Sequence, residues 1–233
     1  MHPIAVAAHR GSPDAAAGIR ENTLAAFARA RRLGADGVEL DVRRTADGGL
    51  AIHHDPVIEG RGAIHELRTD QLPPDIPLLE AALDECRGMT VNVEVKNLPG
   101  EPGFDPDERC VKGVGEQIAS SRPPGEVVVS SFWPGSLEVL HEARPEIPTG
   151  LLLSRSFGAE GMVTAASRLG CVSLHPHVDL ADSELVEEAH LAGLTVAVWT
   201  VNDRLLLEAV ARAGVDTVIT DEVPLALEVL SSR

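Results

Sequence analysis

His9-Arg10-Gly11, Glu21-Asn22-Thr23, Glu39-Leu40-Asp41, His54-Asp55 and Glu94-Val95-Lys96 are five short polar clusters, each set beside apolar residues that a folded chain should bury. Charge in such places is costly unless it is paired or holds a metal ion. Along Val38-Glu39-Leu40-Asp41-Val42 a strand's period of two sends the three apolar side chains to one face and both carboxylates to the other. The same rule along Val91-Asn92-Val93-Glu94-Val95-Lys96 puts Asn92, Glu94 and Lys96 on one face. Taken alone, either strand reads as half-exposed and antiparallel. Two of them in a parallel α/β pattern, covered on both faces, need another reason for their carboxylates. If Glu39, Asp41 and Glu94 converge, they require a cation, and an all-oxygen set suits Mg²⁺ or Ca²⁺ better than zinc.

His9 and His54 each end an apolar run, so both imidazoles should emerge at strand ends, suited to an acid/base pair near neutral pH. The reading leans toward His9 as base. Arg10 could grip a phosphoryl group bidentately and Lys96 could act as a point charge, although both could simply pair with Glu39 or Glu94. With a divalent ion, Glu39, Asp41, Glu94, Arg10 and Lys96 together carry one net positive charge, which suits a phosphodiester monoanion. Trp199 could line the pocket mouth or pack in the core, and Ser131-Phe132-Trp133 could form an apolar wall. His175-Pro176-His177 has the spacing of a metal pair but reads more easily as a loop. Neither Ser12 nor Ser131 lies in a nucleophile-elbow pattern.

These groups need strands to carry them. Apolar strands are expected at roughly 4 to 8, 37 to 42, 91 to 95, 127 to 130, 149 to 153, 171 to 174, 195 to 199 and 217 to 220, with helical patterns between them. Thr23 or Asn22 can cap a helix that stops at Gly34, and helices over 183 to 192 and 204 to 213 stop at Gly193 and Gly214. Eight repeats of this rhythm fit a (β/α)₈ barrel, with an open doubly wound sheet as the alternative. Leu50 to His54 reads as a return strand, antiparallel to the second barrel strand through the Asp47-Gly48-Gly49 turn, which brings His54 back beside Asp41. Residues 56 to 77 read as a surface excursion with a helical turn near Glu66 to Leu72.

The 233 residues fit one barrel domain spanning 1–233, with 55–77 as a shortened insertion over the site. A net charge of -16, with no Lys/Arg run and no Tyr, argues against a nucleic-acid partner. No apolar run is long enough for membrane insertion or a secretory leader, so the cytoplasm is the expected location. Cys86, Cys110 and Cys171 are widely spaced and read as reduced structural thiols. A homodimer is compatible with this composition without being required by it.

The ordered set of clusters, continued by Ser131-Phe132, Trp199-Thr200-Val201-Asn202 and Thr220-Asp221, resembles the glycerophosphodiester phosphodiesterase family over nearly the whole chain. The resemblance implies a (β/α)₈ barrel, Glu39, Asp41 and Glu94 as ligands of one Mg²⁺ or Ca²⁺, His9 and His54 as the acid/base pair, and Arg10 and Lys96 on the phosphate. The implied activity is hydrolysis of a small-molecule glycerophosphodiester to an alcohol and glycerol 3-phosphate. One departure stands out: Pro56-Val57-Ile58-Glu59-Gly60 replaces the longer covering run of the family, so the site should be open, and the head group is left undecided among glycerophosphocholine, glycerophosphoethanolamine, glycerophosphoinositol and a bulkier diester. The rivals are a related phospholipase D-type or lyase enzyme acting on a larger diester, a metal-dependent amidohydrolase, which would need several histidine ligands, and a non-catalytic metabolite-binding barrel.

Overall fold

Val38, Leu40 and Val42 are fully buried in the main core, while Glu39 and Asp41 between them are buried on the other face of the same strand. Both faces of the strand are therefore covered, and the architecture follows. The structure is a computed structural model describing residues 3–121, 125–154 and 161–231. Its strands are β1 (Ala5–Ala8), β2 (Gly37–Arg44), β3 (Leu50–Ile52), β4 (Val57–Ile58), β5 (Gly62–Ala63), β6 (Thr90–Val95), β7 (Val127–Ser131), β8 (Thr149–Leu153), β9 (Ser173–Pro176), β10 (Thr195–Val198) and β11 (Thr217–Thr220). Its helices are α1 (Leu24–Leu33), α2 (Leu79–Glu85), α3 (Arg109–Ser121), α4 (Pro134–Ala143), α5 (Met162–Arg168), α6 (Ser183–Leu191), α7 (Arg204–Ala213) and α8 (Val223–Ser231).

β1, β2 and β6 to β11 pair in parallel, in the order β1-β11-β10-β9-β8-β7-β6-β2, and β2 returns to β1 through Ala7↔Gly37 and Ala8↔Val38. That pairing closes the ring and excludes the open sheet. The chain is a (β/α)₈ barrel. Outward side chains such as Val6, Leu40, Val93, Val129 and Leu174 meet the helices in the main core, and Phe27 is wholly buried on the inner face of α1. Burying a side chain of that size contributes about 1.5–3 kcal/mol.

Helix ends fall where the side-chain chemistry places them. Thr23 accepts a hydrogen bond from the Ala26 N–H at the start of α1, and Gly34 closes it at φ +87°; Asp203 and Gly214 do the same for α7. Capping by Thr23 sets Asn22 just outside the helix, on the barrel rim. β3 lies antiparallel to β2, with Val42↔Ile52 in register, so the return strand expected at 50 to 54 is present in shorter form.

Two local expectations are corrected. The sixth barrel strand runs over Ser173–Pro176 rather than 171 to 174, so His175 sits in a strand and not in a loop. Pro176 is tolerated because it ends the strand, where its carbonyl still accepts from the Trp199 N–H at 3.1 Å. The single helical turn expected at 66 to 72 is two 3₁₀ turns, Ile64–Glu66 and Thr69–Gln71, parted by extended Leu67 and Arg68. They follow a small β4–β5 hairpin and pack Ile64 against Ala51 and Ile58, with Leu67, Leu72 and Ile76 around them. Cys86, Cys110 and Cys171 are buried and free, and among the described residues no helix is long and apolar enough to cross a membrane.

Candidate active site

Glu39 and Asp41 project inward from β2, and Glu94 projects from β6 in register with them, with Asp41 opposite Glu94. One carboxylate oxygen from each lies within 4.8 Å of the others, and all three residues are buried. Burial and the neighbouring Asp41 push the Glu39 carboxyl up to about 8, and burial likewise raises Glu94. Asp41 moves the other way: burial opposes its charge, but the Lys96 ammonium and the Arg10 guanidinium outweigh that and lower its pKa.

Two cations and an amide bind this group. Lys96 Nζ sits 2.5 Å from Glu94 Oε1 and 3.1 Å from Asp41 Oδ1, and Arg10 Nε lies 3.3 Å from Asp41 Oδ2. Asn22 Nδ2 donates to Asp41 Oδ2 at 2.8 Å, and the Arg10 backbone N–H donates to Glu39 Oε2 at 3.0 Å. Glu39 Oε1 is buried with no hydrogen-bond partner. Three converging oxygen donors, one of them orphaned, fit a hard divalent cation.

The loop after β1 is shaped for this purpose. Arg10 and Asn22 adopt positive φ, +52° and +57°, a region that non-glycine residues rarely occupy and that collects at functional sites. Gly11, at φ +79°, lies so close to α1 that a Cβ there would sit 2.9 Å from Ala26 and Phe27 atoms. A side chain at that position would push the loop off the helix and carry Arg10 away from Asp41.

The imidazoles flank the carboxylates from two strands. His9 Nδ1 faces Asp221 Oδ1 at 2.8 Å, and Asp221 is held by Asn202 Nδ2 at 2.6 Å, while Asn202 Oδ1 accepts from the Asp221 N–H at 2.8 Å. Burial disfavours the charged imidazole, but the Asp221 bond and the charge of Glu39 prevail, so the His9 pKa is raised. His54 Nδ1 faces Asp55 Oδ1 at 2.7 Å. There burial and the Lys96 ammonium prevail over the pull of Asp41, and the His54 pKa is lowered. Each ring thus has Nδ1 tied to a carboxylate, which leaves Nε2 as the nitrogen available to a substrate.

Every residue singled out from the sequence as a ligand, acid/base or phosphate group therefore lies around one rim. Glu21 faces outward and reaches Arg10 Nη1 at 3.0 Å. Trp199 is half-buried at the mouth, edge-on to Phe132 at 5.5 Å and to His177 at 5.1 Å, and its Nε1 donates to the His175 carbonyl at 2.8 Å. Lys96 stands 5.9 Å from the Phe132 ring centroid. His175 points away from any rim chemistry: it is buried among the barrel's inward side chains, bonded to Ser173 Oγ at 2.8 Å, and burial pushes its pKa down to about 4. Gly150 makes that slot, since a Cβ there would meet His175 Nε2 at 2.6 Å.

Four contacts were not foreseen from the sequence: Asn22 on Asp41, and Asn202 and Asp221 behind His9, all three quoted within motifs but without these contacts, and Arg43 beneath His54. Asp221 follows β11 as His9 follows β1, and shared strand-end position was the available signal for it. Arg43 gave no signal, because it continues the Glu39-Asp41 alternation into what reads as a solvated hairpin.

A closed (β/α)₈ ring with paired imidazoles and a carboxylate cage at its rim defines a barrel enzyme built for phosphodiester chemistry. Residues 9–225 match the model of the glycerophosphoryl diester phosphodiesterase family. The chain belongs to that family and is a phosphoric diester hydrolase. A glycerophosphodiester phosphodiesterase of Caldanaerobacter subterraneus subsp. tengcongensis is 32% identical, the match covering 93% of each chain, and one from Bacillus altitudinis is 29% identical over 86% of this chain and 89% of its own. Among solved structures, an Oleispira antarctica phosphodiesterase in complex with the product sn-glycerol-3-phosphate superposes with a TM-score of 0.85 at 26% identity, covering 99% of this chain and 98% of that one. A glycerophosphodiester phosphodiesterase from Parabacteroides distasonis gives a TM-score of 0.86 at 25% identity, with 99% and 98% covered.

Proposed function

We propose that this chain hydrolyses glycerophosphodiesters to an alcohol and glycerol 3-phosphate, with His54 and His9 moving the protons and Glu39, Asp41 and Glu94 holding one Mg²⁺ or Ca²⁺. The observation that carries the reading is the pairing of two imidazoles, each anchored through Nδ1, around a buried three-carboxylate cage. A divalent cation in that cage would supply Lewis-acid polarisation of a phosphoryl oxygen. Lys96 and Arg10, both on the cage, add positive charge for the remaining phosphate oxygens.

The opposite pKa directions divide the proton work. His54, lowered, stands neutral and takes the proton of the attacking hydroxyl, whether water or the substrate's own glycerol hydroxyl. His9, whose charged form Asp221 favours, is the ring suited to give a proton to the departing alkoxide oxygen. This reverses the lean drawn from sequence, where strand-end position alone could not rank the two rings. Trp199 and Phe132, in edge-on contact, offer an apolar wall to the substrate's glycerol or alcohol arm.

A second reading has one specific support. An apolar groove of about 660 Å³ adjoins Phe132, its walls including Leu98, Trp133, Leu152 and Met162. It suits a larger diester with an apolar arm. Chain residues 1–233 are read as one catalytic domain with 55–77 as its short cover, working in the cytoplasm, a location supported by three free buried thiols.

The test is release of glycerol 3-phosphate from glycerophosphocholine, glycerophosphoethanolamine and a lysophospholipid, with and without chelator. His9→Ala and His54→Ala should each lower turnover by about 10²- to 10⁴-fold. Turnover within threefold of the parent in both variants would end the acid/base assignment, and preference for the lysophospholipid would favour the second reading.

A further inference from the structure

Arg43 lies two residues beyond Asp41 on the inward-facing alternation of β2, where the strand has already left the barrel and pairs with β3, opposite Ala51. Its side chain is 7% exposed, which is unusual for an arginine outside the reaction centre. Two contacts explain the burial. Arg43 Nε donates to the backbone carbonyl of His54 at 2.7 Å, and Arg43 Nη2 donates to Glu101 Oε2 at 3.0 Å.

These contacts add a side-chain link between two segments that are each tied to β2 through the backbone, by His53 N–H to the Asp41 carbonyl and Lys96 N–H to the Val42 carbonyl. His54 lies beyond the end of β3, and the nearest ladder contact is the bond from the His53 N–H to the Asp41 carbonyl at 3.0 Å. Among the described residues the His54 side chain is anchored to Asp55 alone, whose own side chain is 70% exposed and therefore a weak post. Glu101 belongs to the segment that follows Lys96, and among the described residues it is the one ionisable side chain lining the apolar groove beside Phe132. Arg43 thus fixes the peptide carrying one imidazole to the loop that leaves the phosphate-side lysine. A planar guanidinium does this in one rigid piece, because Nε and Nη2 point in directions set by the same plane.

We propose that Arg43 is a positioning residue for His54: through the His54 carbonyl and Glu101 it sets where the imidazole stands relative to the cage and Lys96. The proposal rests on the reading of His54 as a proton-transfer group. A displacement of about 1 Å at such a group can cost about 10²-fold in rate, so a contact outside the reaction centre suffices to govern turnover. Lysine cannot replace arginine here, since a single ammonium at the end of a flexible stem does not hold two acceptors in fixed directions.

The experiment measures kcat and KM for sn-glycero-3-phosphocholine, with pH profiles, in Arg43→Lys, Arg43→Met, Glu101→Gln and the Arg43→Met/Glu101→Gln pair, with His54→Ala as reference. Arg43→Met and Arg43→Lys should both lose about 10²-fold in kcat with KM nearly unchanged. Glu101→Gln should lose less, and the pair should be no worse than Arg43→Met alone, because both side chains act through one chain of contacts. The limbs of the pH profile should stay in place, as expected for a change of geometry rather than of charge. Glu101 is partly exposed, so Glu101→Gln reports even if the buried arginine variants fail to fold. Full kcat in Arg43→Lys would show that charge alone matters and overturn the proposal. So would a rise in KM with kcat intact, or additive losses in the pair. Near-parent turnover in His54→Ala would instead overturn the reading of His54 on which the proposal stands.

Discussion

Adding a divalent cation should stabilise this protein strongly at alkaline pH and hardly at all near pH 6. In the folded chain the Glu39 carboxyl sits at about 8, above its ordinary 4.5, because it is buried beside Asp41. Between those two pH values the folded chain holds a proton that the unfolded chain has released. That contribution to stability is fully present below 4.5 and is lost as pH rises through 8, at up to about 1.4 kcal/mol per pH unit. A cation must displace the same proton, so its apparent affinity should fall about tenfold for each pH unit below the Glu39 value. At a Mg²⁺ or Ca²⁺ concentration about 100 times the dissociation constant measured at pH 9, the stabilisation there is about 2.7 kcal/mol. At pH 6 affinity is about 100-fold weaker, and the same concentration yields about 0.4 kcal/mol. With a melting shift of about 2–4 °C per kcal/mol for a chain this long, the cation should raise Tm by about 5–11 °C at pH 9 and by about 1–2 °C at pH 6. Calorimetric melts with and without cation at the two pH values measure this directly. Glu39→Gln, which has no proton to lose at that position, should shrink the difference, the remainder coming from the raised Glu94 carboxyl. An equal rise at both pH values in the parent, or a difference as large in Glu39→Gln as in the parent, would refute the reasoning.

Other outcomes follow from single contacts. Asp221→Asn removes the carboxylate that favours the charged form of His9, so the His9 pKa should fall and the alkaline limb of the kcat/KM profile should move to lower pH, with the acid limb set by His54 unmoved. Gly150→Ala puts a methyl group 2.6 Å from His175 Nε2 inside the barrel, and urea unfolding should show a loss of about 1–3 kcal/mol from overpacking.

The barrel was legible because its strands and helices obey two simple periods. Val38, Leu40 and Val42 alternate with Glu39 and Asp41, and the alternation alone sorts the helix-facing wall from the lumen. The caps were equally local: Thr23 and Gly34 bound α1 through contacts made within a few residues. His175 failed the same reading because Pro176 is a strand breaker by composition, and only the position at a strand's end, next to β8 and β10, makes it harmless. The excursion at 56–77 failed for a related reason: its two short turns are held by Ile64 packing on Ala51 from another strand, which no local pattern encodes.

Around the rim, the division between what was legible and what was not is chemical. Carboxylates and imidazoles announce themselves because burying them without partners is expensive, and the sequence shows both the apolar setting and the charge. The groups that orient them do not, since an asparagine such as Asn22 or Asn202, or an arginine in a hairpin such as Arg43, is ordinary on a surface. Their roles come from contacts between residues far apart in the chain: Asn22 on Asp41, Asn202 on Asp221 and Arg43 on Glu101 span 19, 19 and 58 positions. Closure of the ring creates those meetings, because it places the ends of β1 and β11 side by side and sets His9 against Asp221. The pKa directions of the two imidazoles are consequences of the same closure. His9 is raised by a carboxylate from the last strand, and His54 is lowered by burial and by the lysine of β6's end, so the opposite shifts of the two rings are a property of the closed barrel and not of either motif alone.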